Sequence, residues 1–110
     1  MTADGPIIRE HLIFSGTVQG VGFRWRAMRA ADAAGCTGWV RNDPNGTVSM
    51  EIQGSQAQID RVIQSLDRAP YIRITDLNVR RIPVDVRESD FVTKGEFWLK
   101  LIWRIDHEPA

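Results

Sequence analysis

The sequence predicts an α+β sandwich in which one antiparallel sheet carries two helices on one face. Three observations lead there. A strand, a glycine-rich turn and a helix follow one another at the N-terminal end. Val48, Met50 and Ile52 alternate with Ser49, Glu51 and Gln53, the period of a strand buried on one face. Ile59, Val62, Ile63 and Leu66 then fall at the i, i+3, i+4, i+7 positions of an amphipathic helix. A chain of 110 residues has room for a single domain. The expected layout is a flexible tail over 1–7, one domain over 8–105 and a short tail over 106–110.

From Ile8 to Phe14 the residues are largely β-branched, apolar or aromatic and predict the first strand. Gly16 to Gly22 holds three glycines in seven positions, too many for a helix or a regular strand interior, and reads as a loop. Phe23 to Ala34 is mostly Ala, Arg and Met, and Gly35 stands where a left-handed C-cap belongs, so the first helix ends there. Gly38 to Asn42 is extended and leads into Asp43-Pro44-Asn45-Gly46, a hairpin turn before the alternating strand. Ser55 and Gln58 have capping-box spacing at the start of the second helix, and Pro70 cannot continue it. Ile72 to Ile82 is extended, with an alternation that slips between Ile74 and Leu77 as at a bulge. Pro83 to Gly95, with five charged residues, is expected to be a surface loop. Phe97, Leu99, Leu101, Trp103 and Ile105 alternate as one face of a last strand. The order strand, helix, strand, strand, helix, strand is the ferredoxin-like βαββαβ pattern, an architecture shared by many functions.

Composition excludes several classes. Fourteen Lys+Arg balance fourteen Asp+Glu, so a broad basic surface for nucleic acid is absent, and strand Thr47 to Gln53 lacks the stacking aromatics of an RNA-binding sheet. No run of apolar residues is long enough to span a membrane, and the first residues lack the pattern of a signal peptide. A single cysteine, Cys36, allows no internal disulfide and suits a reducing compartment; the expected location is the cytoplasm. Cys36 is expected to be a packing residue.

Anion recognition must then be local, and one place favours it. The glycine-rich loop opens onto a helix N-terminus, where backbone N–H groups and the helix dipole suit a phosphate, although such loops are often mere tight connections. From Gly16 through Ala31 the chain has Arg24, Arg26 and Arg29 and no acidic residue. Arg24, at the junction of loop and helix, could hold two phosphate oxygens with its planar fork of donors. Arg26 and Arg29 are expected to face solvent. Asn42 is either a turn starter bonded to its own backbone or a carboxamide that positions a water. Asp43 beside it could weaken anion binding if turned inward. His11 and His107 have no metal-ligand spacing and are expected at the surface. Trp103 is expected in the core and Trp98 on the opposite, exposed side.

Phe14-Ser15-Gly16-Thr17-Val18-Gln19-Gly20-Val21-Gly22-Phe23-Arg24 resembles the first signature of the acylphosphatase family. Gly38-Trp39-Val40-Arg41-Asn42, then three residues, Gly46-Thr47-Val48, five residues and Gly54 is similar to the second. Phe14, Asn45 and the long charged segment after Pro83 depart from the family's usual pattern. The resemblance implies a ferredoxin-like domain that hydrolyses a small-molecule acyl phosphate to a carboxylate and inorganic phosphate, without metal or organic cofactor. It further implies that Gly16, Thr17, Val18, Gln19, Gly20, Val21, Gly22 and Phe23 bind the phosphate with Arg24, while Asn42 orients the attacking water. No nucleic-acid or membrane partner is expected, and the protein is expected to be a monomer. The alternative is a non-catalytic interaction or regulatory module of the same fold, using Trp98 and the charged 83–95 segment to hold a partner.

Overall fold

The computed structural model describes residues 5–95. The elements in chain order are β1 (Ile8–Thr17), α1 (Phe23–Ala34), β2 (Thr37–Asn42), β3 (Val48–Gly54), α2 (Gln56–Asp67), β4 (Arg73–Ile82) and β5 (Phe91–Thr93). They form one five-stranded sheet in the order β4-β1-β3-β2-β5. Leu12, Phe14, Val40, Val48, Met50 and Ile52 meet Phe23, Ala27 and Ala31 of α1 and Ile59, Val62 and Leu66 of α2 in the core. Full burial of such side chains contributes about 1.5–3 kcal/mol for each large one. The Phe14 and Phe23 rings meet edge to face, centroids 4.9 Å apart, and fix the start of α1 over the end of β1.

The local signals act as expected. Gly35 caps α1 in the left-handed region, its N–H directed at the Ala31 and Asp32 carbonyls. Both arms of the capping box form on α2: Ser55 Oγ accepts from the Gln58 N–H at 3.2 Å, and Gln58 Oε1 accepts from the Ser55 N–H at 2.8 Å. The hairpin closes through the Gly46 N–H donating to the Asp43 carbonyl at 3.1 Å. The slip in β4 is a bulge: Ser15 pairs with Asp76 and Gly16 with Ile74, leaving Thr75 as the extra residue.

Several expectations are corrected. The first strand does not stop before the loop; Gly16 and Thr17 continue its ladder with β4. Only glycine allows this at position 16, where φ is +122° and a Cβ would lie 2.1 Å from the Arg73 carbonyl oxygen. The sheet is mixed rather than antiparallel, because β5 pairs parallel with β2, Gly38 opposite Phe91. The 83–95 segment is therefore not a plain surface loop: it crosses the helix-free face of the sheet from one edge to the other and re-enters as β5. β3 is covered on both faces: Ser49 and Gln53 are buried and Glu51 is partly so, opposite the fully buried Val48, Met50 and Ile52.

The crossing segment is held by polar contacts. Gln53 Oε1 accepts from the Asp85 N–H at 2.8 Å, and its Nε2 donates to the Asp85 carbonyl at 3.0 Å. Arg9, 4% exposed, donates to both oxygens of Glu88, at 2.6 and 3.0 Å, and to Glu51 at 3.1 Å. His11 Nδ1 lies 2.9 Å from Glu51 Oε2, so this histidine is a half-buried member of an ion cluster rather than a surface group. Burial alone would raise the Glu51 carboxyl; hydrogen bonds from His11 and Arg9 outweigh it and hold the group below the usual carboxylate value. The expected strand over 97–105, Trp98, Trp103 and His107 lie outside the described residues. No helix among the described residues is long and apolar enough to cross a membrane.

Candidate active site

A cavity of about 360 Å³ opens where the loop after β1, the first turn of α1 and the end of β2 converge. Its lining includes Val18, Gly20, Gly22, Arg24, Asn42 and Thr93. Arg24 and Asn42, which are 18 residues apart in sequence, thus share one cavity. Each is brought there by a different element. Arg24 is the second residue of α1, and Asn42 is the last residue of β2, paired with Val48 of β3.

Gly22 forms the N-cap of α1 in the left-handed region, with no side-chain cap and no acidic residue in the first turn. An uncapped helix start directs its amides and the positive end of its dipole at whatever fills the cavity. Arg24 Nη1 donates to the Lys94 carbonyl at 3.5 Å, tying the guanidinium to the chain just beyond β5. Among the described residues no carboxylate lines the cavity. Asp43 is turned away from it: its carboxylate accepts from Ser49 Oγ at 2.6 Å, Thr47 Oγ1 at 2.8 Å and Arg41 Nε at 3.2 Å. Its charge is absorbed on the hairpin, so it does not oppose an anion in the cavity.

Of the expected loop residues, Val18, Gly20, Gly22 and Phe23 line the cavity, whereas Gly16 and Thr17 belong to the β1–β4 ladder and Val21 packs against the core. The Gln19 side chain points elsewhere, its Nε2 donating to the carbonyls of Asp43 at 2.7 Å and Thr47 at 2.8 Å. It pins the loop to the hairpin that follows Asn42. Arg26 does not face solvent freely; its Nε donates to the Ser65 carbonyl at 3.0 Å and links α1 to α2. Arg29 is exposed and stacks on Trp25, 4.8 Å from the ring centroid. Sequence reasoning missed Thr93, Trp25 and Met28 as wall residues. Thr93 reaches the cavity only through the parallel β5, and Trp25 had the signal of an aromatic beside the loop arginine. Among the described residues no three His, Cys, Asp or Glu side chains converge as a metal site would require.

Fold and site together define an α+β domain with an anion-receptive cavity at a helix start. The sequence model of the Acylphosphatase family matches residues 10–93. An acylphosphatase of Chlorobaculum tepidum is 42% identical over 84 residues, covering 76% of this chain and 91% of the relative. The crystal structure of acylphosphatase from Bacillus subtilis superposes with a TM-score of 0.74 at 26% identity, covering 80% of this chain and 99% of the other. An acylphosphatase from Coxiella burnetii gives 0.73 at 29% identity, with 80% and 93% covered. The chain belongs to the acylphosphatase family and is an enzyme of that class.

Proposed function

We propose that this acylphosphatase seats the phosphoryl group of an acyl phosphate against the loop from Val18 to Phe23 and the first turn of α1, with Arg24 on the phosphate oxygens. Asn42 aims a water at phosphorus. Water adds to phosphorus, the bond from phosphorus to the acyl oxygen breaks, and a carboxylate and inorganic phosphate result. The carboxylate is a good leaving group, so the reaction asks mainly for positioning and charge stabilisation, and a substrate phosphate oxygen takes the proton from water. The single observation behind this reading is the cavity that Arg24 and Asn42 share beside an uncapped helix start. Gly16 and Thr17 contribute through the strand that aims the loop rather than as phosphate ligands.

The test is loss of benzoyl phosphate followed by phosphorus NMR. Turnover no faster than spontaneous hydrolysis would refute the proposal. Arg24→Ala is expected to lower turnover about 10²–10³-fold, the usual effect of losing one preorganised charge donor. Asn42→Ala should keep inorganic phosphate binding and lose turnover; loss of both together would contradict the separate roles. The same reading includes a monomeric, cytoplasmic enzyme, in keeping with a buried, free Cys36 thiol.

A further inference from the structure

The catalytic cavity has a charged neighbour. Beside it runs a groove of about 460 Å³ between α1 and α2, lined by Trp25, Arg26, Arg29, Ala30, Ala33 and Ser65. Trp25 belongs to both: one residue walls the cavity and the groove. It is 59% exposed, unusual for the largest apolar side chain, and Arg29 lies one helical turn further on with its guanidinium stacked on the ring. Among the described residues no carboxylate lines the groove. In the proposed pose the phosphoryl group sits at the helix start, and Trp25 is the wall residue across which the cavity adjoins the groove that Arg29 lines.

Resting on that pose, we propose that Trp25 and Arg29 form an acyl-group subsite selecting acyl phosphates whose acyl portion carries a second carboxylate. The indole face receives the acyl carbons, and the stacked guanidinium meets the distal carboxylate. Arg29 is a specificity residue with no part in the reaction at phosphorus.

The experiment compares 4-carboxybenzoyl phosphate with benzoyl phosphate, substrates alike in shape and different in distal charge. The readout is the ratio of their kcat/KM values in the wild type, Arg29→Gln and Arg29→Lys. Arg29→Gln should lower the ratio about threefold to fivefold at low ionic strength, the effect of an exposed charge contact, while benzoyl phosphate turnover stays at the wild-type rate. Arg29→Lys should restore part of the ratio, and added salt should shrink the wild-type preference. A ratio that moves by less than about 1.5-fold in Arg29→Gln, below what such a contact supplies, would overturn the subsite while leaving the catalytic reading intact. A wild type that leaves benzoyl phosphate at its spontaneous rate would overturn both.

Discussion

Replacing Arg9 by methionine should destabilise the fold far more than replacing an ordinary charged residue, and the structure sets the size of the effect. The Arg9 side chain is 5% exposed and holds Glu88 and Glu51, whose side chains are 16% and 23% exposed. Methionine keeps most of the packing volume and removes the charge. Stripping one partner from a buried ion pair costs about 3–5 kcal/mol, because the remaining charge is left uncompensated. Glu88 and Glu51 retain some access to water and Glu51 keeps His11, so about 2–3 kcal/mol is expected here. For a domain of this size that is roughly 8–20 °C in Tm. Urea unfolding followed by tryptophan fluorescence measures it, with Glu88→Gln and the double variant completing a cycle whose coupling should be about 1–2 kcal/mol. The acid limb supplies an independent reading. Glu51 has a folded pKa below its unfolded value, so its contribution is present above about pH 4.3 and is lost as pH falls through the folded value. Arg9→Met should flatten that loss, since one of the hydrogen bonds holding the carboxyl down is gone. An Arg9→Met protein within about 0.5 kcal/mol of wild type, the scatter of an ordinary surface change, would refute the view that this cluster pins the crossing segment to the sheet.

Other positions give independent checks. At Gly38, φ is +142° and a Cβ would sit 1.9 Å from the Glu51 carbonyl oxygen, so Gly38→Ala must part β2 from β3. A loss of about 2–4 kcal/mol in urea unfolding is expected, with reduced turnover because Asn42 ends the same strand; a loss under about 1 kcal/mol would contradict the packing. Burial raises the Glu10 carboxyl above its ordinary value, with Arg81 too distant at 4.0 Å to restore it. Its contribution is therefore full below the unfolded pKa and lost as pH rises through the folded one, so Glu10→Gln should raise Tm at pH 7 and leave it nearly unchanged at pH 3. Burial pushes the Cys36 thiol up to about 11, and iodoacetamide at pH 8 should label it, by mass spectrometry, only as fast as the protein unfolds.

The sequence by itself determined the elements whose causes are local. The capping box at Ser55, the glycine cap at Gly35, the hairpin turn from Asp43 to Gly46 and the apolar stripes of β3 and α2 each act within a few residues, where spacing and chemistry suffice. The two signature strings singled out Arg24 and Asn42 by resemblance, and the fold brings both to one cavity. Tertiary structure alone decided what covers the other face of the sheet. Alternation in β3 says which side is apolar but not what lies over Ser49, Glu51 and Gln53; that depends on Glu88 reaching Arg9 across 79 positions of sequence, a pairing with no local signature. The parallel seating of β5, the arrival of Thr93 in the cavity wall and the turning of Gln19 onto the hairpin follow from the same cause. Each depends on long-range ladders and side-chain geometry that form only once the core has brought distant segments together.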